Sequence, residues 1–363
     1  MPIHQSLISP TANAQLERAL RERLDRRAAI SGGMGELEPL AVRLGLVQNT
    51  LTPRFKEPTL ALFAADHGLA VEGIRLLHGH TTREQAQLAL QHRLPAAVFA
   101  RLHGLHFSVV DCGMAEQLPV HPQLLARKIA HGTRNARLGL AMTLEQAHAG
   151  VRVGMEIADS FEGNALACAG LGQGSEESAA LVLARLGQVP VGNFIDPGPA
   201  RPADEVTRLL TMLQNTLARH RDVSEPMEVL AALGGFELAV MVGAMLVAAS
   251  KRSLIIVDGV AACAALKIAA TIAPPVTDYA VFCRSHAGHG LDEAMALFRA
   301  SALLELGMQS SDGCGAALAW PLIRSAAALL SELHEVAEPP PGPGLHVDLP
   351  VLTQSISGPL SRP

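Results

Sequence analysis

Residues 59–68 read TLALFAADHG. Seven uncharged residues run into a carboxylate, an imidazole and a glycine. An apolar run of that length, closed by a turn signal, predicts a strand buried on both faces, as in parallel sheets. The pattern recurs at 107–114, FSVVDCGM, and at 253–260, SLIIVDGV. A weaker copy, YAVFCRS, occupies 279–285. Ala- and Leu-rich stretches lie between them, and 83–102 is expected to be helical throughout. Strands that end in Asp and Gly and alternate with helices predict an α/β fold with a parallel sheet and crossover helices. Ligands of such sheets bind beyond the carboxyl ends of the strands. The three Asp/Gly turns, including Asp258 and Gly259, would share that edge.

Upstream, Leu16, Leu20 and Leu24 recur every four residues and predict an amphipathic helix over 13–28. A glycine-rich turn then leads into a second helix. Downstream, EPPPGPGLHVDLP at 338–350 ends the last helix, and the residues beyond it are expected on the surface. No fixed-period repeat is present.

The 363 residues are 49% hydrophobic and 17% charged, a globular composition with room for one large domain or two modest ones. A net charge of −5 argues against duplex nucleic acid as a partner. Aromatics make up 3%, with one Trp and one Tyr, so stacking platforms for single strands are scarce. The longest unbroken apolar stretch, Leu238 to Ala249, is 12 residues, short of the roughly 20 that cross a bilayer. The N-terminal segment has no apolar core of a secretory signal. Five scattered cysteines without a CxxC pair read as reduced thiols. No membrane association and a cytoplasmic location are therefore expected.

Four segments carry candidate chemistry. Asp66, His67 and Gly68 close the first strand, where a carboxylate and an imidazole can position a substrate or move a proton; the alternative is a turn whose Asp caps a backbone amide. Gly170, Gly172 and Gly174 lead through Ser175 into Glu176 and Glu177. A glycine loop entering a helix is an anion site in waiting, with Ser175 as the expected N-cap. The two acids suit the helix dipole but repel a phosphate. Gly234 and Gly235 precede Glu237, which could hold a ribose hydroxyl or simply cap a helix. Asp312, Gly313 and Gly315 surround Cys314; Asp312 is a candidate general base or an ordinary N-cap. His286 with His289, and His78 with His80, have pair spacing but no local third ligand, so no metal is expected.

The order of these segments carries more than each alone. FAADHGLAVEGI (63–74), Thr82 with Gln85, VVDCGM (109–114), KIAHGTRNA (128–136), Ala141-Met142-Thr143, GGFELAVMVGAM (234–245), VDGVAACAAL (257–266) and LLELGMQSSDGCGAALAWPLI (303–323) succeed one another as in one family. The chain resembles the nicotinate-nucleotide:dimethylbenzimidazole phosphoribosyltransferases over about 32–330. The resemblance implies a Rossmann-like parallel sheet with helices on both faces. It implies a small helical domain from both chain ends (1–55 with 325–363) beside a large α/β ligand-binding domain (56–324). It also implies a homodimer, with a heterodimer of homologues as the alternative, and a reaction without metal or organic cofactor. A carboxylate removes the proton of a benzimidazole nitrogen, which attacks C1′ of nicotinate mononucleotide; nicotinate leaves and the anomeric configuration inverts. Asp312 would be the catalytic base. Asp66, His67, Gly68, Thr82, Gln85, Gly172, Gly174, Ser175, Glu176, Glu177, Gly234, Gly235, Glu237, Asp258, Gly259, Gly313 and Gly315 would bind substrate.

The chain departs from the family pattern at the chemistry. Asp312 stands where the family's base is Glu, shorter by one C–C bond of about 1.5 Å, and a misplacement near 1 Å can cost roughly 100-fold in rate. The phosphate loop GEMGIGNTTSAAAL reads AGLGQGSEESAALV at 169–182, so Gly170 replaces a Glu and two hydroxyl residues become Glu176 and Glu177. The GRGTG loop reads GNFID at 192–196, and the early lysine is lost from AISGGMGELE at 29–38. The base-pocket segment reads RLLHGHTT at 75–82. These changes raise two alternatives: an enzyme for a less phosphorylated or cationic N-glycoside, or an inactive paralogue that binds a ligand or partners an active homologue.

Overall fold

The computed structural model describes residues 8–76, 79–195, 202–285, 290–308 and 313–333. Two helices open the chain, α1 (Ala14–Ser31) and α2 (Leu37–Gln48), followed by β1 (Thr59–Ala65). Next come α3 (Thr82–Leu90), α4 (Pro95–Leu102), β2 (His106–Gly113) and the short β3 (Leu124–Ala126). The middle of the chain forms α5 (Leu144–Ser160), β4 (Ala165–Leu171), α6 (Ser175–Gly187), α7 (Ala203–Arg219), α8 (Pro226–Leu233) and α9 (Phe236–Ser250). It continues through β5 (Leu254–Asp258), α10 (Val260–Ile272), β6 (Ala280–Ser285), α11 (Gly290–Ala296), β7 (Ala302–Glu305) and α12 (Cys314–Ser331).

The strands form one sheet in the order β3-β2-β1-β4-β5-β6-β7. All six pairings are parallel. The first strand sits inside the sheet, between β2 and β4, so the chain winds outward in both directions from it. The reversal of order at β1 and β4 opens a crevice where ligands of doubly wound folds bind. This is the Rossmann-like architecture that the strand pattern and the resemblance imply.

β1 is buried at every position, and its alternate residues feed two cores. Ala61, Phe63 and Ala65 join the face covered by α5, α6, α8, α9 and α10. Leu60, Leu62 and Ala64 join the face covered by α1, α2, α3, α4 and α12. Burying a Leu or Phe side chain contributes roughly 1.5–3 kcal/mol, so the central strand anchors both layers. On the second face α12 runs unbroken past the 324/325 boundary that the resemblance implies, and its residues share one cluster with α1, α2 and β1. By length and composition α12 could cross a membrane. It lies against the sheet instead, with Trp320, Ile323 and Leu330 buried.

Local differences from the sequence expectations have physical causes. The stretch 83–102 is two helices, because the residue before Pro95 is kept out of α geometry. His92, in the break, adopts φ +54°. β4 escapes a reading by pattern: ALACAGL has no β-branched residue, and only burial between neighbours makes it a strand. β3 and β7 are three and four residues long, too short for a periodic signal. The first helix extends to Ser31 from an Asn13 N-cap whose side chain accepts from the amide of Leu16.

Candidate active site at the β1 and β4 strand ends

Asp66 leaves β1 at the crevice, and its carboxylate is a tie between loops. One oxygen accepts from the Thr82 hydroxyl and the other from the amide of Ala115 at 2.7 Å. Thr82 Oγ1 in turn accepts from the Gln173 amide at 3.0 Å. The backbone carbonyl of Asp66 accepts from the Thr133 amide at 3.0 Å. Asp66 thus binds the end of β2, the start of α3 and the glycine loop to one point. Its turn-forming role is the one on view, since both carboxylate oxygens have partners. Gln85 is buried beside Thr82, with its amide on the His80 carbonyl at 3.3 Å. Gly68 lies against the backbone of 133–135.

His67 turns the other way, into the protein. Its Nε2 lies 2.9 Å from Glu237 Oε1, and the Ser175 hydroxyl donates to the same oxygen at 2.9 Å. His67 is 4% exposed and Glu237 is fully buried. The second oxygen of Glu237, Oε2, is buried with no hydrogen-bond partner among the described residues. Burial alone would lower the His67 pKa, but the Glu237 carboxylate, with Asp66 and Glu177 nearby, raises it above the ordinary value. The fold therefore favours the imidazolium. Gly234 ends α8 and Gly235 is the N-cap of α9. A Cβ on Gly235 would fall 2.2 Å from Glu237 Oε2 and 2.3 Å from His67 Cε1, so no side chain fits there.

The glycine loop crosses directly over the end of β1. A Cβ at Gly172 would lie 2.0 Å from the Ala65 carbonyl oxygen. Gly174 has φ +89° and leaves only 3.0 Å between such a Cβ and His67 Cβ. Gly174, not Ser175, is the N-cap of α6. The left-handed residue ends the loop one position early, and Ser175 becomes the first helical residue with its hydroxyl turned inward to Glu237. Glu176 and Glu177 stand in the first turn of α6, as expected, Glu176 exposed and Glu177 buried. Gly170 belongs to β4, and a side chain there would strike Ala261 Cβ at 2.6 Å.

The remaining predicted residues gather one strand along, at the end of β5. Asp258 is fully buried and fully engaged. Its Oδ1 accepts from Arg284 Nε at 2.6 Å, and its Oδ2 accepts from the amides of Gly313 (2.7 Å) and Ala316 (3.0 Å). It caps α12 from across the sheet, a carboxylate at a helix N-terminus. Gly259 is the N-cap of α10 and Gly313 that of α12. Gly315 lies against the Arg284 side chain, where a Cβ would come within 2.5 Å of Cδ. Asp312 lies outside the described residues, as do His78, His286 and His289. Sequence reasoning missed Arg284, hidden in a strand otherwise apolar. It also missed Lys128, whose Nζ lies 3.2 Å from Asp111 Oδ2 and donates to the Met114 and Glu116 carbonyls.

A family model described as phosphoribosyltransferase matches residues 9–339. The chain belongs to this phosphoribosyltransferase family. A nicotinate-nucleotide–dimethylbenzimidazole phosphoribosyltransferase of Variovorax paradoxus (strain S110) is 37% identical over 326 residues, 90% of this chain and 93% of that protein. Its counterpart in Cupriavidus taiwanensis is 38% identical over 327 residues, covering 89% and 94%. Among solved structures, CobT from Thermus thermophilus superposes with a TM-score of 0.81 at 29% identity, covering 87% of this chain and 96% of that one. In this family member, residues 66–68, 82, 172–177 and 234–237 lie together at the carboxyl ends of β1 and β4, joined through the Asp66–Thr82–Gln173 and His67–Glu237–Ser175 hydrogen bonds.

Proposed function

We propose that this phosphoribosyltransferase moves the ribosyl phosphate of nicotinate mononucleotide to a ring nitrogen of an aromatic base such as 5,6-dimethylbenzimidazole. The base nitrogen attacks C1′ as the bond from C1′ to the pyridine nitrogen breaks. Nicotinate leaves, the anomeric configuration inverts, and Asp312 takes the proton of the attacking base. The observation that carries this reading is the glycine loop at the switch point, set over the end of β1 with the N-terminus of α6 behind it. Backbone amides and a helix N-terminus at such a crevice suit the phosphate of a mononucleotide. No metal or organic cofactor enters the reaction. We infer further that the enzyme works in the cytoplasm as a homodimer, and that α1, α2 and the end of α12 act as a small helical unit beside the sheet.

The acids of α6 support a second reading, because Glu176 and Glu177 at the loop favour a donor with less negative charge. Calorimetric titration with nicotinate mononucleotide, then with the base, followed by product analysis, separates the two. Micromolar binding with release of nicotinate and inverted product is the expected result. Silence from folded protein excludes the phosphorylated donor and turns the search to nucleosides or a partner chain. Asp312→Asn should lower kcat by about 100- to 10,000-fold while the fold persists, the range of general-base catalysis. Full activity in that variant would remove Asp312 from the mechanism.

A further inference from the structure

We propose that Glu237 and His67 are positioning residues for the donor nucleotide, acting through Ser175 to hold the glycine loop over the crevice. The inference rests on the phosphoribosyltransferase reading and assigns the loop's supports within it.

Three elements meet at one carboxylate oxygen. Glu237 from the first turn of α9 accepts from Ser175 at the start of α6 and pairs with His67 after β1. The three come from the start of α9, the start of α6 and the turn after β1. A Cβ at Gly235 would collide with the Glu237 and His67 side chains, and one at Gly174 would lie 3.0 Å from His67 Cβ, so the pair packs directly under the last residue of the loop. The Gln173 amide is already committed to Thr82, and the Ser175 amide to the Gly172 carbonyl at 3.2 Å. The amide of Gly174, between them, donates to no acceptor among the described residues. This is the group a donor can use, and its direction depends on the residue that follows it, Ser175. A serine hydroxyl on a buried carboxylate is a charge-assisted bond, stronger and more directional than one between neutral groups.

The charge on Glu237 needs an opposite charge at this depth. The groups that face His67 are Glu237 from α9, Glu177 from α6 and Asp66 beside it on the β1 loop. Together they keep the imidazolium to a higher pH than usual. Removal of that proton leaves Glu237 uncompensated and loosens its hold on Ser175. Donor binding should therefore weaken as pH rises through the raised value, and be complete below it.

The test uses the full chain with Ser175→Ala, Ser175→Thr, Glu237→Gln and His67→Asn. The readouts are steady-state kinetics with nicotinate mononucleotide across pH, and amide hydrogen exchange of 172–176. Ser175→Ala and Glu237→Gln should raise KM for the donor about tenfold, the worth of one charge-assisted hydrogen bond, with a smaller effect on kcat. Ser175→Thr should return KM toward the wild-type value. His67→Asn should abolish the rise of KM at alkaline pH. A merely structural role would lower the folded fraction and leave both KM and its pH dependence in place. Unchanged KM and pH profile in folded Ser175→Ala overturns the proposal, and that variant carries the test if Glu237→Gln fails to fold. Absence of wild-type turnover instead rejects the transferase reading. Hydrogen exchange then decides, with accelerated exchange at 172–176 in Ser175→Ala supporting the loop assignment and unchanged exchange overturning it.

Discussion

At the scale of single residues, the crevice holds opposing electrostatics. The first turn of α6 offers backbone amides and the positive end of a helix dipole, and the same turn carries Glu176 and Glu177. The dipole end amounts to roughly half a charge, so acids in the same turn offset part of its attraction for a phosphate. Replacing Glu176 and Glu177 by Thr should tighten nicotinate mononucleotide binding by about 10-fold, the scale of one like-charge contact removed at a partly exposed site. Titration calorimetry at low and high salt checks it, because the exposed Glu176 part should shrink as salt rises. An unchanged dissociation constant would show that the acids do not face the phosphate.

At the scale of elements, α9 is built to come close. Gly243 on α9 faces Val151 on α5, and a Cβ there would fall 1.9 Å from the Val151 carbonyl oxygen. Gly154 on α5 faces the Val240 carbonyl at the same distance. The two helices meet backbone to backbone, and this fixes where the first turn of α9 delivers Glu237. Gly243→Ala must push the helices apart and should cost about 1–3 kcal/mol, the range for overpacking in a core. Chemical denaturation should show a lower midpoint, with donor KM rising too, because Glu237 moves with its helix. The sequence shows this element's composition but not its purpose. GGFE and the small residues after it are visible, whereas the partner of Glu237 lies 170 residues away at His67. Pairings of that span leave no local pattern. Strands with branched residues ending in Asp and Gly, such as β2 and β5, are legible because burial on both faces demands an uncharged run, and β1 shares that run and its closing turn. β4, rich in Ala and Gly, is not. Asp258 is visible as a carboxylate at a strand end, but its engagement with Arg284 and the α12 amides requires the sheet to place β6 and α12 beside it.

At the scale of the whole molecule, the site belongs to no single layer. Its candidate residues come from the loops after β1, β2 and β4 and from the first turns of α6 and α9, so a donor bound there would add contacts to elements from the middle of the sheet outward. A ligand that binds only the folded chain stabilises it by about 2.7 kcal/mol at a concentration 100 times its dissociation constant. With an unfolding entropy near 2.1 cal/mol/K per residue, a chain of this length should gain about 3–4 °C in Tm. Thermal unfolding with nicotinate mononucleotide, and separately with the matching unphosphorylated nucleoside, reads that gain directly. A larger shift from the mononucleotide is expected, since only it can set phosphate oxygens on the Gly174 amide at the N-terminus of α6. A shift from the nucleoside alone would mean that Glu176 and Glu177 outweigh the loop, and that the reaction begins from a donor without phosphate. The shift should also fall as pH rises through the raised His67 value, because the imidazolium packs under the last residue of the loop. A pH-independent shift would detach donor binding from the buried pair beneath it.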